Sequence, residues 1–400
     1  MNAFPDWYSK DFLRGHVAQT MAFYHPRCLD HGRGGFYQHF RDDGSIYDAD
    51  TRHLVSSTRF VFNYAMAWRH FGEPAYREAA RHGLRFLREA HRNPETGGYA
   101  WVLGGGDAVL DGTNHCYGLA FVVLAYATAV SAGLDEARPW LEETWALLER
   151  WYWEPQAGLY LDERSADLGE ASGYRGQNAN MHACEAMIAA WQATGEARYL
   201  DRAVTLARRV SVDLAGHGDG LIWEHYDRNW RIDWDYNRDD PSHLFRPWGF
   251  QTGHQTEWAK LLASLYRYAP EAWMLERAEA LFAAGMRHGW DAEHGGLVYG
   301  FDPQYRVCDG DKYFWVQAES LAAAARLAEL TGDTTYWRDY ERLWAYAWAH
   351  FIDHDHGGWY RILDAANRRY DDKKSPAGKT DYHTMGACYE VMGVLDRISA

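Results

Sequence analysis

The apolar positions of this chain fall into two kinds of helical stretch that alternate along its length. One kind is apolar almost all round and rich in alanine: Tyr117 to Val130, His182 to Gln192, Leu261 to Tyr268 and Leu321 to Leu330. A helix with no wet face belongs in an interior. The other kind opens with a turn and an aromatic residue, as in Gly72-Glu73-Pro74-Ala75-Tyr76, Gly195-Glu196-Ala197-Arg198-Tyr199 and Gly332-Asp333-Thr334-Thr335-Tyr336. It continues with apolar residues on one side and Arg and Glu on the other, the pattern of a helix covering a core.

A short glycine–aromatic motif punctuates these stretches: Gly34-Gly35-Phe36-Tyr37, Gly97-Gly98-Tyr99, Gly158-Leu159-Tyr160, Gly220-Leu221-Ile222-Trp223, Gly295-Gly296-Leu297-Val298-Tyr299 and Gly357-Gly358-Trp359-Tyr360. Each copy predicts a tight turn entering a hairpin strand. The spacing of about 60 to 75 residues is that of a repeat architecture. Six buried and six amphipathic helices predict an all-α (α/α)6 barrel, a toroid of six helix pairs with short β-hairpins gathered at one end. An open solenoid is the alternative. No linker or charged block interrupts the pattern, so residues 1–400 are expected to form one domain.

Such a barrel places the first turns of the inner helices around a central funnel, and each brings polar groups to that level. They are Thr58 and Arg59; Asn114 and His115; Asn178, Asn180, His182 and Glu185; His254 and Glu257, preceded by Arg246; Trp315, Gln317 and Glu319; and Asp381, Tyr382 and His383. Polar groups on buried helices cost free energy unless paired, so their recurrence at one level predicts a functional cavity. His182 and Glu185, like His254 and Glu257, are three residues apart and share a helical face. Trp315 and Glu319 pair a flat apolar platform with a carboxylate. His and Glu at this spacing also suit a metal, but the sequence shows no closed ligand set, so none is expected.

Composition narrows the chemistry. The chain carries 20 Trp and 27 Tyr, residues with a broad apolar face and one polar handle that suit sugars. The net charge of −15 argues against nucleic acid. The five cysteines lie far apart without a CxxC pair, no stretch is long and apolar enough for a membrane span, and no secretory signal is evident; together these predict a cytoplasmic protein. No glycine-rich phosphate loop is present, so no cofactor is expected.

The stretches Tyr174 to Ala186, Gly253 to Trp258, Trp315 to Glu319 and Asp381 to His383 resemble the N-acylglucosamine 2-epimerase superfamily over nearly the whole chain. The segment Asp235 to Pro241, with Phe245 to Gly249, looks most like its bacterial aldose–ketose isomerase branch, which acts on mannose. The resemblance implies an (α/α)6 barrel, catalytic histidines His254 and His383, and a sugar held by Arg59, Asn180, His182, Arg246, Glu257, Trp315 and Glu319. It implies interconversion of D-mannose and D-fructose through a cis-enediolate, without cofactor or metal, by a monomer or homodimer whose partner is a monosaccharide. The alternatives are a 2-epimerase acting on mannose or glucose, cellobiose or N-acylhexosamines; a glycoside hydrolase using Glu257 and Glu319; and a binding toroid without catalysis.

Overall fold

Twelve α-helices run through the computed structural model, which describes residues 4–243 and 245–399. Six are lined by buried residues over most of their length: α2 (Leu54–Phe71), α4 (Cys116–Ser131), α6 (Gln177–Thr194), α8 (Thr252–Tyr268), α10 (Phe314–Thr331) and α12 (Tyr382–Ile398). The others, α1 (Lys10–Tyr24), α3 (Pro74–Phe86), α5 (Arg138–Trp151), α7 (Ala197–Arg208), α9 (Ala272–Gly289) and α11 (Thr334–His350), bury one side only. Each buried helix packs on the next, and α12 packs on α2, so the ring closes. The amphipathic set surrounds it, α3 on α2 through α11 on α10. The sixth pair joins the two ends of the chain, with α1 covering α12. The toroid predicted from the hydrophobic pattern is the observed one.

Glycine fixes the turn from inner to outer helix. Gly72, Gly195 and Gly332 end α2, α6 and α10 with φ near 72°, 73° and 69°, each returning its N–H to the carbonyl four residues back. Only a residue without Cβ takes this left-handed conformation freely. The outer helix restarts within two residues, so it must run back antiparallel to its partner. All six inner helices therefore begin at the same mouth of the barrel.

That mouth is built by the glycine–aromatic repeats. In all six, a glycine N–H closes the turn on a carbonyl four or five residues earlier. Asp30, Asn93, Asp291 and Asp353 brace four of these turns by accepting backbone N–H groups with their side chains. Strand pairing follows in five copies. The copy at Gly220 departs from the expected hairpin: among the described residues it forms no strand pair, and Ile222 is held by the Gln255 amide, which bonds both its N–H and its carbonyl.

Two-residue strands then stitch neighbouring units together. The residues just before five inner helices pair with the following unit: Arg52–His53 with Val102–Leu103, Asn114–His115 with Glu163–Arg164, Arg175–Gly176 with His225–Tyr226, Phe250–Gln251 with Gly300–Phe301, and Lys312–Tyr313 with Ile362–Leu363. A bridge between Phe40 and Ser375 completes the circle. The first turn of each inner helix is thereby pinned, and the side chains there inherit that rigidity.

Candidate active site

A cavity opens between the inner helices at the hairpin mouth. Arg59, His182, His254, Glu257, Trp315 and His383 line it, with Asn178, Tyr117, Tyr299, Tyr313, Phe245 and Lys379 among their neighbours. All six of the first group lie in the first two turns of their helices. Trp315 stands between the two candidate catalytic histidines, its ring centroid 5.7 Å from that of His254 and 5.8 Å from that of His383. Gly253 makes this approach possible, since a Cβ there would press into the Trp315 ring.

The two imidazoles differ in what holds them. His383 Nδ1 lies 2.6 Å from Glu319 Oε1, and the other Glu319 oxygen lies 2.5 Å from Lys260 Nζ. A carboxylate flanked by an ammonium and an imidazole is an acceptor on both sides, so His383 carries its proton on Nδ1 and keeps a free lone pair on Nε2. Burial, followed by the Arg59 and His182 charges, pushes His383 well below the ordinary imidazole range, and the ring is neutral.

His254 is held in the opposite sense. Trp258 Nε1, which can only donate, lies 2.6 Å from Gln177 Oε1. This fixes the amide, and Gln177 Nε2 then faces Glu224 at 2.8 Å and His254 Nδ1 at 2.9 Å. A proton on Nδ1 would collide with that NH2 group, so Nδ1 accepts and Nε2 carries the hydrogen. Burial, aided by the neighbouring histidines, lowers His254 to about 3. Glu224, whose Oε2 is 3.4 Å from Nδ1, is raised well above the carboxylate range by burial.

The remaining groups are equally constrained. His182 Nδ1 lies 3.1 Å from Glu185 Oε2, leaving its Nε2 as an acceptor. Burial alone would raise Glu185, but Lys260 and the His182 hydrogen bond override it and hold the carboxyl far below its usual range. Glu257 is buried with neither oxygen bonded to protein. Burial, reinforced by the Glu319 charge, raises it well above the carboxylate range, so it faces the cavity as a neutral acid. The Arg59 guanidinium donates to the Gly378 carbonyl at 2.5 Å and the Tyr117 hydroxyl at 3.2 Å. It lies over the rings of Phe121 and Tyr382 at 4.4 Å and 5.0 Å.

Two triplets, His182–Glu185–Glu257 and Glu257–Glu319–His383, bring potential ligand atoms within 4.8 Å of one another. Lys260 pairs with Glu185 of the first triplet and with Glu319 of the second.

Three of the residues expected at the sugar lie outside the cavity lining. Asn180 is fully buried, its amide bonded to the N–H and carbonyl of Tyr160. Gln255 and Gln317, likewise three residues into their helices, bond Ile222 and Leu297 in the same way. The recurrence of an amide at this position marks a staple of the fold. Arg246 lines an adjoining pocket with Trp101, His115, Asp162 and Tyr236, stacked over Tyr174 and paired with Glu163. Glu319 touches His383 from behind and is absent from the cavity lining.

Gln177, Glu224 and Lys260 are missing from the sequence-derived set. Gln177 and Lys260 flank the histidine motifs, and a lysine three residues beyond Glu257 on a buried helix is the signal that could have found it. Glu224 lies in a loop and offers no such pattern.

The sequence profile of N-acylglucosamine 2-epimerase (GlcNAc 2-epimerase) matches residues 35–387. A D-mannose isomerase of Marinomonas mediterranea is 56% identical over 394 residues, covering 98% of this chain and 99% of that protein. A D-mannose isomerase of Thermobifida fusca is 37% identical over 73% of each chain. A crystal structure of D-mannose isomerase superposes with a TM-score of 0.96 at 56% identity, over 98% of this chain and all of that one. The profile match runs past every cavity residue from Arg59 to His383, and the chain belongs to the N-acylglucosamine 2-epimerase family.

Proposed function

We propose that this protein is a D-mannose isomerase, interconverting D-mannose and D-fructose by proton transfer between C2 and C1. The observation that carries the chemistry is the unequal pairing of the two histidines: a carboxylate behind His383, an amide behind His254. One imidazole presents a lone pair to the cavity and the other presents a hydrogen. Support for the sugar comes from the two D-mannose isomerases at 56% and 37% identity.

The steps follow from the protonation states. The sugar ring stacks on Trp315 between the histidines. His254 Nε2–H hydrogen-bonds the ring oxygen as the C1–O5 bond breaks, and that oxygen takes up the proton released from the anomeric hydroxyl by way of His182. The anomeric hydroxyl gives its proton to Nε2 of His182, and C1 becomes an aldehyde. His383 Nε2 then removes the hydrogen from C2, now acidified by the adjacent carbonyl. The negative charge spreads over O1 and O2 of a cis-enediolate. Arg59, the neutral acid Glu257 and the positive ends of six inner helices stabilise it. His383 returns the hydrogen to C1 on the same face while the proton on O2 passes to O1. Ring closure reverses the transfer by way of His182.

A hydrolase reading loses its support in this geometry. Its two carboxyl groups must flank a glycosidic bond, whereas Glu319 stands behind His383 and Glu257 alone faces the cavity. An NMR time course of D-mannose with the protein tests the proposal. Fructose is expected first, with glucose late or minor because it needs protonation from the opposite face. Glucose appearing ahead of fructose would make the protein a 2-epimerase, and no turnover of free aldoses would leave only a binding toroid.

A further inference from the structure

The barrel has a second opening. At the mouth formed by the C-terminal halves of the inner helices lies a cavity of about 610 Å³. Arg14, Arg69, Gln192, Arg326, Glu390 and Arg397 are among its walls. Its floor reaches Glu185, Lys260, Glu319 and Tyr382. Glu185 and Glu319 in turn hold His182 and His383, which line the sugar cavity. Lys260, paired with Glu185 and Glu319, thus lines the second cavity directly behind the carboxylates that hold the two histidines.

Lys260 takes no part in the steps above and does not line the sugar cavity. Its ammonium lies 2.5 Å from Glu319 and 3.4 Å from Glu185, the carboxylates that hold His383 and His182. The buried Glu257 and Glu319 and the half-buried Glu185 and Glu390 all bear on the charge of this lysine. Without it, at least one of the two carboxylates would take up a proton, since adjacent buried anions cannot both stay charged. A protonated Glu319 would offer its hydrogen to His383 Nδ1, and the Nε2 lone pair would be lost.

We infer that Lys260 is a positioning residue: from the far side of the barrel floor it keeps Glu319 a hydrogen-bond acceptor, and so keeps His383 in the tautomer that can remove the C2 hydrogen. The inference rests on the proposed role of His383. It assigns the second cavity the task of keeping the cation hydrated and reachable without opening the sugar site.

The test is the full-length protein with Lys260→Met, Lys260→Arg and Lys260→Ala, assayed for fructose formation from mannose. Lys260→Met is expected to lose kcat on the order of 10²-fold, with KM within about twofold of wild type, because the sugar contacts are untouched. Lys260→Arg, whose longer side chain has room in the second cavity, should recover most of that loss. Ethylammonium should restore kcat of Lys260→Ala saturably and without competing with mannose, entering by the far mouth. A folded Lys260→Met with wild-type kcat, a loss confined to KM, or amine rescue that mannose competes away would each overturn the inference. If the methionine variant fails to fold, the arginine variant and the amine titration decide by the same criteria. A wild-type protein that makes no fructose would instead remove the isomerase reading beneath it, a failure visible before any Lys260 variant is assayed.

Discussion

His254 and His383 flank the same tryptophan, are buried to the same degree, and are both held neutral. What differs is one neighbour each. Glu319 accepts a hydrogen from His383, while Gln177 gives one to His254. Two identical side chains are thereby assigned opposite tasks, base and donor. The assignment is made outside the sugar cavity, by Lys260 on one side and Trp258 on the other. Residue type alone does not decide which histidine does what; the hydrogen-bond partner of the remote nitrogen does.

The comparison breaks most severely at the base. His383→Ala should lower kcat on mannose by about 10³-fold, within the range for a positioned acid–base group. Its unfolding temperature should stay close to wild type, since the side chain faces a cavity. Turnover near wild type would make this histidine structural. Glu319→Gln is expected to cost on the order of 10²-fold: the amide can donate to Nδ1, giving His383 the tautomer that His254 has. A retained kcat in that variant would show that the carboxylate does not set the tautomer.

Both imidazoles were visible in the sequence, because each follows a helix start in a repeat whose period is legible. The glycine turns and the alternation of apolar and amphipathic helices specified the ring almost directly, since each is a local pattern. The partners were not legible. Lys260 stands out as a lysine on a buried helix, but its task is not legible until α6 and α10 are known to bring Glu185 and Glu319 beside it. In one copy a buried amide and a sugar-binding amide look alike; Gln255 and Gln317 at the same helical position show Asn180 as one of three backbone staples. Arg246 lies near the site in sequence, yet the loop before α8 carries it to the adjoining pocket.

A smaller effect concerns pH. Both imidazoles are held below the ordinary 6.5, His254 to about 3, chiefly by burial. A base must be neutral to act, and a lowered value keeps it neutral into acid. The plateau of kcat/KM should therefore extend from pH 8 to below 6.5, with the acid limb beyond it. A limb centred at or above 6.5 would mean that an unperturbed imidazole controls the rate.

The division of labour itself is tested most directly by following two reactions of mannose at once: exchange between its α and β anomers, which needs only ring opening, and formation of fructose, which also needs the C2 hydrogen. Magnetisation-transfer NMR reads the first and product signals the second, for His383→Ala and His254→Asn side by side. His383→Ala should still accelerate anomer exchange while making almost no fructose. His254→Asn should lose the acceleration of anomer exchange, and form fructose only as fast as the open-chain sugar arises unaided. The reverse pattern, with anomer exchange lost in His383→Ala and kept in His254→Asn, would contradict the assignment of base and donor.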